Sequence, residues 1–166
     1  MKELFKYFTL LTFLLIYNTS SCQKGKIIFK YHHTMRIPFS DVHIEISNNK
    51  TSYHLKVDSK AANNDVMWKY SNIQFDSLIN QNVFEKLYTK LVKFEAENIP
   101  KDETVYGDGY SCSIEFISDK KKRSFNYNCP DDETEERKLV LFLELCHDII
   151  SAAGLKPEEI FMQKGG

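Results

Sequence analysis

The segment DVHIEISNNKTSYHLKVD, Asp41 to Asp58, decides the fold. Val42, Ile44 and Ile46 alternate with polar residues, and after Ser47-Asn48-Asn49-Lys50 the alternation resumes in Tyr53, Leu55 and Val57. A period of two in β-branched and aromatic residues is the signature of strands with one buried face. Asn tolerates positive φ, so Asn48-Asn49 reads as the centre of a two-residue type I′ turn and the segment as a hairpin. In that register His43 and His54 sit opposite one another on the polar face, with Asp41, Glu45 and Lys56 around them.

Residues 26 to 33, upstream of the hairpin, are rich in β-branched and aromatic types and read as a first strand, with Pro38 marking the break after it. Downstream, Lys60 to Asp65 is loop-like, and Val66 to Gln74 reads as a strand carrying the single Trp68. Asp76 or Asn82 then opens a helix. Asn82 with Glu85 resembles a capping box, and Phe84, Leu87, Tyr88, Leu91 and Phe94 recur at helical spacing. A loop with Pro100 and Gly107-Asp108-Gly109 leads to a second hairpin, Tyr110 to Cys129, which Pro130 terminates. Asp131 or Asp132 is the expected cap of a last helix with the stripe Leu139, Phe142, Leu143, Cys146, Ile149, Ile150 and Ala153, ended by Gly154 and Pro157. Strands, helix, two strands and helix in that order predict the α+β class: an antiparallel sheet of about six strands with two main helices packed on one face.

The 166 residues carry 22 Lys plus Arg against 23 Asp plus Glu, with 42% hydrophobic residues, so the chain has the balance of a folded globule and no basic excess. That charge disfavours nucleic acid as a partner. The length suits one domain, since a chain of this size buries roughly 70% of its unfolded surface.

Lys2 and Lys6 precede an apolar run from Tyr7 to Tyr17, followed at once by Thr19, Ser20 and Ser21. This is the layout of a signal peptide, and the apolar run of about 11 residues is too short for a spanning helix, which needs roughly 20. Thr19-Ser20-Ser21-Cys22 resembles the lipobox of bacterial lipoproteins, in which a small residue precedes a Cys that is acylated and becomes the new N-terminus. Ser20 and Ser21 fit; Thr19 stands where Leu is usual, which keeps ordinary cleavage and secretion into the periplasm or beyond as the alternative. The resemblance implies a signal peptide over residues 1–21, lipidation (palmitate among the chains) at Cys22, and a membrane anchor through that residue. Gln23, rather than Asp, after the Cys implies the outer membrane. Residues 22–25 would be a short tether, at most roughly 14 Å long, and 26–166 the single domain. Loss of Lys2, Glu3 and Lys6 would move the net charge from −1 to −2.

With Cys22 lipidated, Cys112, Cys129 and Cys146 remain. If Lys120-Lys121 centre the second hairpin, Cys112 faces Cys129 on the apolar face, Ile114 faces Tyr127, and Phe116 faces Phe125. Directly opposed residues are within bridging distance. The expectation is a Cys112–Cys129 disulfide, with Cys146 a buried thiol above it; a two-residue slide would keep the faces and separate the pair. His43 and His54 are the candidate metal ligands, with His32 or His33 as a third, although two ligand-free strand histidines fit the same pattern. Lys120 to Arg123 form a basic tip. Asp131, Asp132, Glu133, Glu135 and Glu136 suit the first turns of a helix, where its dipole favours acids. Gly107-Asp108-Gly109 matches no phosphate loop, and no catalytic or cofactor motif is found. The functional expectation is a membrane-tethered, non-enzymatic binding, inhibitor or immunity module with a protein partner. A periplasmic enzyme or a structural subunit of an envelope assembly is the alternative. A concave pocket with both histidines and a buried carboxylate would favour the enzyme; a flat apolar patch on the open sheet face would favour binding.

Overall fold

The computed structural model describes residues 25–33, 38–49, 51–61, 71–97, 109–118 and 121–161. The signal-peptide and Cys22 expectations, the Trp68 segment and Gly107-Asp108 lie outside them. The strands are β1 (Gly25–His33), β2 (Asp41–Asn49), β3 (Ser52–Lys60), β4 (Ile73–Leu78), β5 (Tyr110–Ser118) and β6 (Lys121–Asn128). The helices are α1 (Gln81–Ala96), α2 (Val140–Ala152) and the single turn α3 (Pro157–Ile160). All strand pairs are antiparallel, in the order β4-β3-β2-β1-β5-β6. The protein is α+β, a six-stranded antiparallel sheet with its helices on one face. The first four strands form a meander that ends at one edge. The chain then runs through α1 and returns to place β5 beside β1, which becomes a central strand.

Alternation decides which face is covered. Ile27, Phe29, Tyr31, Val42, Ile44, Ile46, Leu55, Val57, Cys112, Ile114 and Phe116 point one way and are buried, whereas their sequence neighbours are exposed or half-buried. Against that face α1 lays Phe84, Leu87, Leu91 and Phe94, and α2 lays Phe142, Leu145, Cys146, Ile149 and Ile150. Leu145 lies outside the stripe expected for α2. It is buried because α2 also borders α1, where Lys90 reaches Asp148 at 2.6 Å and Glu144 at 3.5 Å, so the covered arc is wider than one sheet contact requires. Aromatic edges fill the layer: Phe94 meets Phe125 at 4.8 Å between ring centroids and Tyr127 meets Phe142 at 4.6 Å, both T-shaped. Gly25 allows one close approach, since a Cβ there would stand 3.1 Å from the Phe84 ring.

Three local expectations are corrected. The first hairpin pairs Asn49 with Ser52, so the turn centre lies two residues later than Asn48-Asn49 and each β2 residue meets a partner four residues further along β3. The slide keeps every apolar residue on its face. It also frees both Asn side chains for other bonds: Asn49 Oδ1 accepts from Ser52 N at 3.2 Å and Ser52 Oγ at 2.8 Å, and Asn48 Oδ1 accepts from Gly25 N on β1. Second, Asp76 lies within β4, and the helix cap is Asn80, whose side chain accepts from Asn82 N at 2.8 Å.

Third, Asp131 and Asp132 do not cap α2. Residues 130–138 form successive turns, α2 starts after Leu139, and no side chain caps it. The acidic run therefore has no helix dipole to answer. What holds this segment is Arg137, whose guanidinium donates to the carbonyls of Asn128, Cys129 and Asp132 at 2.7, 2.7 and 2.8 Å. That grip supports positive φ at Cys129, Glu133 and Lys138, which L residues adopt at a cost. Replacing Arg137 by Ala should destabilise the domain by about 1–3 kcal/mol in urea unfolding, the worth of charge-assisted bonds to half-buried carbonyls. Lys at 137 should recover less than half of the loss, because an ammonium cannot span three carbonyls as a planar fork does.

Candidate functional site

The face of the sheet opposite the helices carries the polar half of each strand, and the pairing of β1, β2 and β3 sorts those residues into rows. One row runs Lys30, His43, Asp58 and the next runs His32, Asp41, Lys60, each residue directly opposite the next. On the far side of β1 the rows continue into Ser113 and Ser111 of β5. These six residues line a shallow groove of about 430 Å³. Within it His32 Nδ1 lies 2.6 Å from Asp41 Oδ1, and both side chains are 54% exposed. Base, imidazole and carboxylate each occur once in both rows, displaced by one column, so every carboxylate has a cationic or titratable neighbour along its row.

The same logic extends along the face. Lys26 pairs with Glu45 at 2.7 Å, and Glu115 accepts from Lys30 at 2.9 Å and Lys122 at 2.7 Å. Hydrogen bonds from Lys122 and then Lys30 hold the Glu115 carboxyl below the usual carboxylate range. Lys122 and Arg123 are therefore not a bare basic tip: Arg123 reaches the other way and pairs with Glu95 on α1.

The expected metal pair is separated. In the observed register His43 faces Asp58 and His54 faces Ser47, four positions away along β3, about 13 Å at strand rise. His54 instead meets Ser52 Oγ through Nε2 at 2.7 Å. Among the described residues no three His, Cys, Asp or Glu side chains are grouped to hold a metal ion. The groove thus contains His43 without His54, its carboxylates are open to water, and the face is flat but ionic rather than apolar.

The cysteine expectation is corrected as well. In β5–β6, Cys112 faces Tyr127, Ile114 faces Phe125, and Cys129 lies beyond the strand end, its backbone N bonded to Tyr110 O at 2.8 Å. This is the two-residue slide, which brings Phe125 and Tyr127 under α1 and α2 and leaves Cys129 to start the turns that Arg137 holds. Cys112, Cys129 and Cys146 are all free thiols, and Cys112 and Cys129 are not bridged. Burial, and after it the neighbouring Cys146 thiol, push the Cys112 thiol well above its ordinary range.

A second groove, of about 480 Å³, lies beside α2 and α3 and is lined in part by Asp131, His147, Glu158 and Phe161. Burial lowers the basicity of His147, and burial, with the Asp131 carboxylate nearby, raises the Tyr110 hydroxyl far above its ordinary range. His147 stays exposed while its ring packs on Phe161 at 5.1 Å between ring centroids, so it edges the groove where the core ends.

The chain matches no protein-family model and no curated protein.

The Glu115 bridge gives a pH test. Its depressed pKa means that the stabilisation is present above the unfolded carboxyl value, near 4.3, and is lost as pH falls through the lower folded value. Glu115→Gln should cost about 1 kcal/mol at pH 7. The gap between its urea midpoint and that of the original protein should narrow as pH falls below the unfolded value and close once the folded Glu115 carboxyl is itself protonated.

Proposed function

We propose that this chain is an envelope lipoprotein, anchored through Cys22, whose α+β domain binds a protein partner on the open sheet face as an inhibitor or immunity module. The observation that carries the reading is the two-row lattice of Lys30, His43 and Asp58 beside His32, Asp41 and Lys60. A rigid sheet holds charges of both signs at fixed spacing on a broad, open surface. Such a surface selects a partner by charge complementarity, with like charges juxtaposed in wrong partners, rather than by enclosing a small molecule. The location rests on the signal-peptide layout and the likeness of Thr19-Ser20-Ser21-Cys22 to a lipobox. The outer membrane is the site that Gln23 favours, and a short tether would keep the domain close to the bilayer.

Two measurements test this. Metabolic labelling with palmitate should mark the protein and fail in Cys22→Ala; an unlabelled, unprocessed product would remove the anchor. Photo-crosslinking in intact envelopes from a probe at His43 should give a discrete adduct. A probe at Lys86, exposed on α1, should give none. The His43 adduct should weaken about tenfold in Lys30→Glu/Lys60→Glu and with rising salt, as steered association does. Equal labelling from both probe positions would dismiss the sheet face as the contact surface.

A further inference from the structure

We propose that Cys112 and Cys146 form a disulfide that staples α2 to β5 when the protein folds in the presence of a disulfide donor. The oxidising setting rests on the export reading above; the pairing itself rests on packing. Cys112 is flanked across the sheet by Tyr31 on β1 and Tyr127 on β6, all three on the core face. Tyr127 packs on Phe142 at 4.6 Å between ring centroids, and Tyr31 packs on Phe161 at 6.0 Å. Phe142 lies one helical turn before Cys146 on α2, and Phe161 follows α3. The two aromatic contacts thus bracket Cys146 along the chain and set it over Cys112 on the core face. Both cysteines are 0% exposed, so the docked pair is closed to solvent.

Cys129 stands apart. It is half-buried, at φ 40°, and its thiol is directed at Tyr110 O at 3.7 Å. It stays reduced in this scheme.

The chemistry is thiol–disulfide exchange with a small or protein disulfide of the glutathione type. One cysteine attacks the donor, the other resolves the mixed disulfide, and the Cys112–Cys146 bond replaces two S–H bonds. The electron pair and both protons leave with the donor as its two thiols. Because both docked thiols are buried, exchange occurs before α2 seats on the sheet, and the finished bond is shielded from reductant.

The test is peptide mapping of the full chain refolded in a glutathione redox buffer, alkylated after denaturation. The expected result is one linked pair containing Cys112 and Cys146, with Cys129 and any unacylated Cys22 alkylated, and the same linked pair in Cys129→Ala. Reduction should lower the melting temperature by roughly 8–15 °C, and Cys146→Ala should abolish that sensitivity. Three alkylated thiols in the refolded domain, or a link through Cys129, would overturn the pairing. Mapping of protein quenched directly from cells separates the two claims. A bridge there supports both; reduced thiols in cells beside a bridge on refolding would overturn the export reading and leave the pairing intact.

Discussion

Strand β1 is hydrogen-bonded along both edges, to β2 through seven opposed residue pairs and to β5 through nine, and each other part of the sheet reaches the rest through it. Its alternation sets two faces at once. Ile27, Phe29 and Tyr31 fix where the helices dock, and Lys26, Lys30 and His32 fix what the opposite surface presents. A slip of β1 by one residue would place lysines under α1 and α2, a burial of unpaired charge that no local contact could offset. Asn48 guards against such movement from β2, its side-chain oxygen holding the first amide of β1.

The two faces use different physics. On the helix side, nearly all the stabilisation comes from removing apolar area from water and from edge-to-face aromatic contacts, which tolerate no gap. On the open side, individual ion pairs contribute little to stability because water screens them. Their arrangement matters more than their strength. Glu115, only 16% exposed and shared by two lysines, is the most structural of them, and it sits beside the groove rather than in it. The six groove residues are cheaper to change, which suits a surface whose task is recognition.

Periodicity is written in single residues, and it gave five of the six strands, the two long helices and the polarity of each face; the fourth strand, expected over Val66 to Gln74, lies at Ile73–Leu78 and shares only Ile73 and Gln74 with that span. Pairing is not written that way. A slide by an even number of residues, four in the first hairpin and two in the second, preserves the alternation, so Val42 or Ile114 says nothing about which partner it meets. The deciding contacts were side-chain bonds at the hairpin ends: Asn49 to Ser52 at the first turn, and Arg137 gripping the carbonyls at and after the end of β6. The groove was hidden for the same reason. His43 was visible as an outward-facing residue, but its neighbours Lys30 and Asp58 come from other strands. Cys146 was legible as core-facing, yet the residue beneath it depended on how α2 lies across the sheet, which Phe142 and Phe161 determine.

The strand at the middle of the sheet lies early in the sequence, while β5, its second neighbour, lies late; Ile27 meets Phe116. At ribosomal rates of about 5–20 residues per second, the intervening chain takes roughly 5–20 s to emerge. For that interval one side of β1 has no ladder partner, and closing so long a loop is slow even afterwards. The lysines at 26 and 30 therefore have an earlier use than any in the finished molecule: they make a waiting strand a poor template for aggregation.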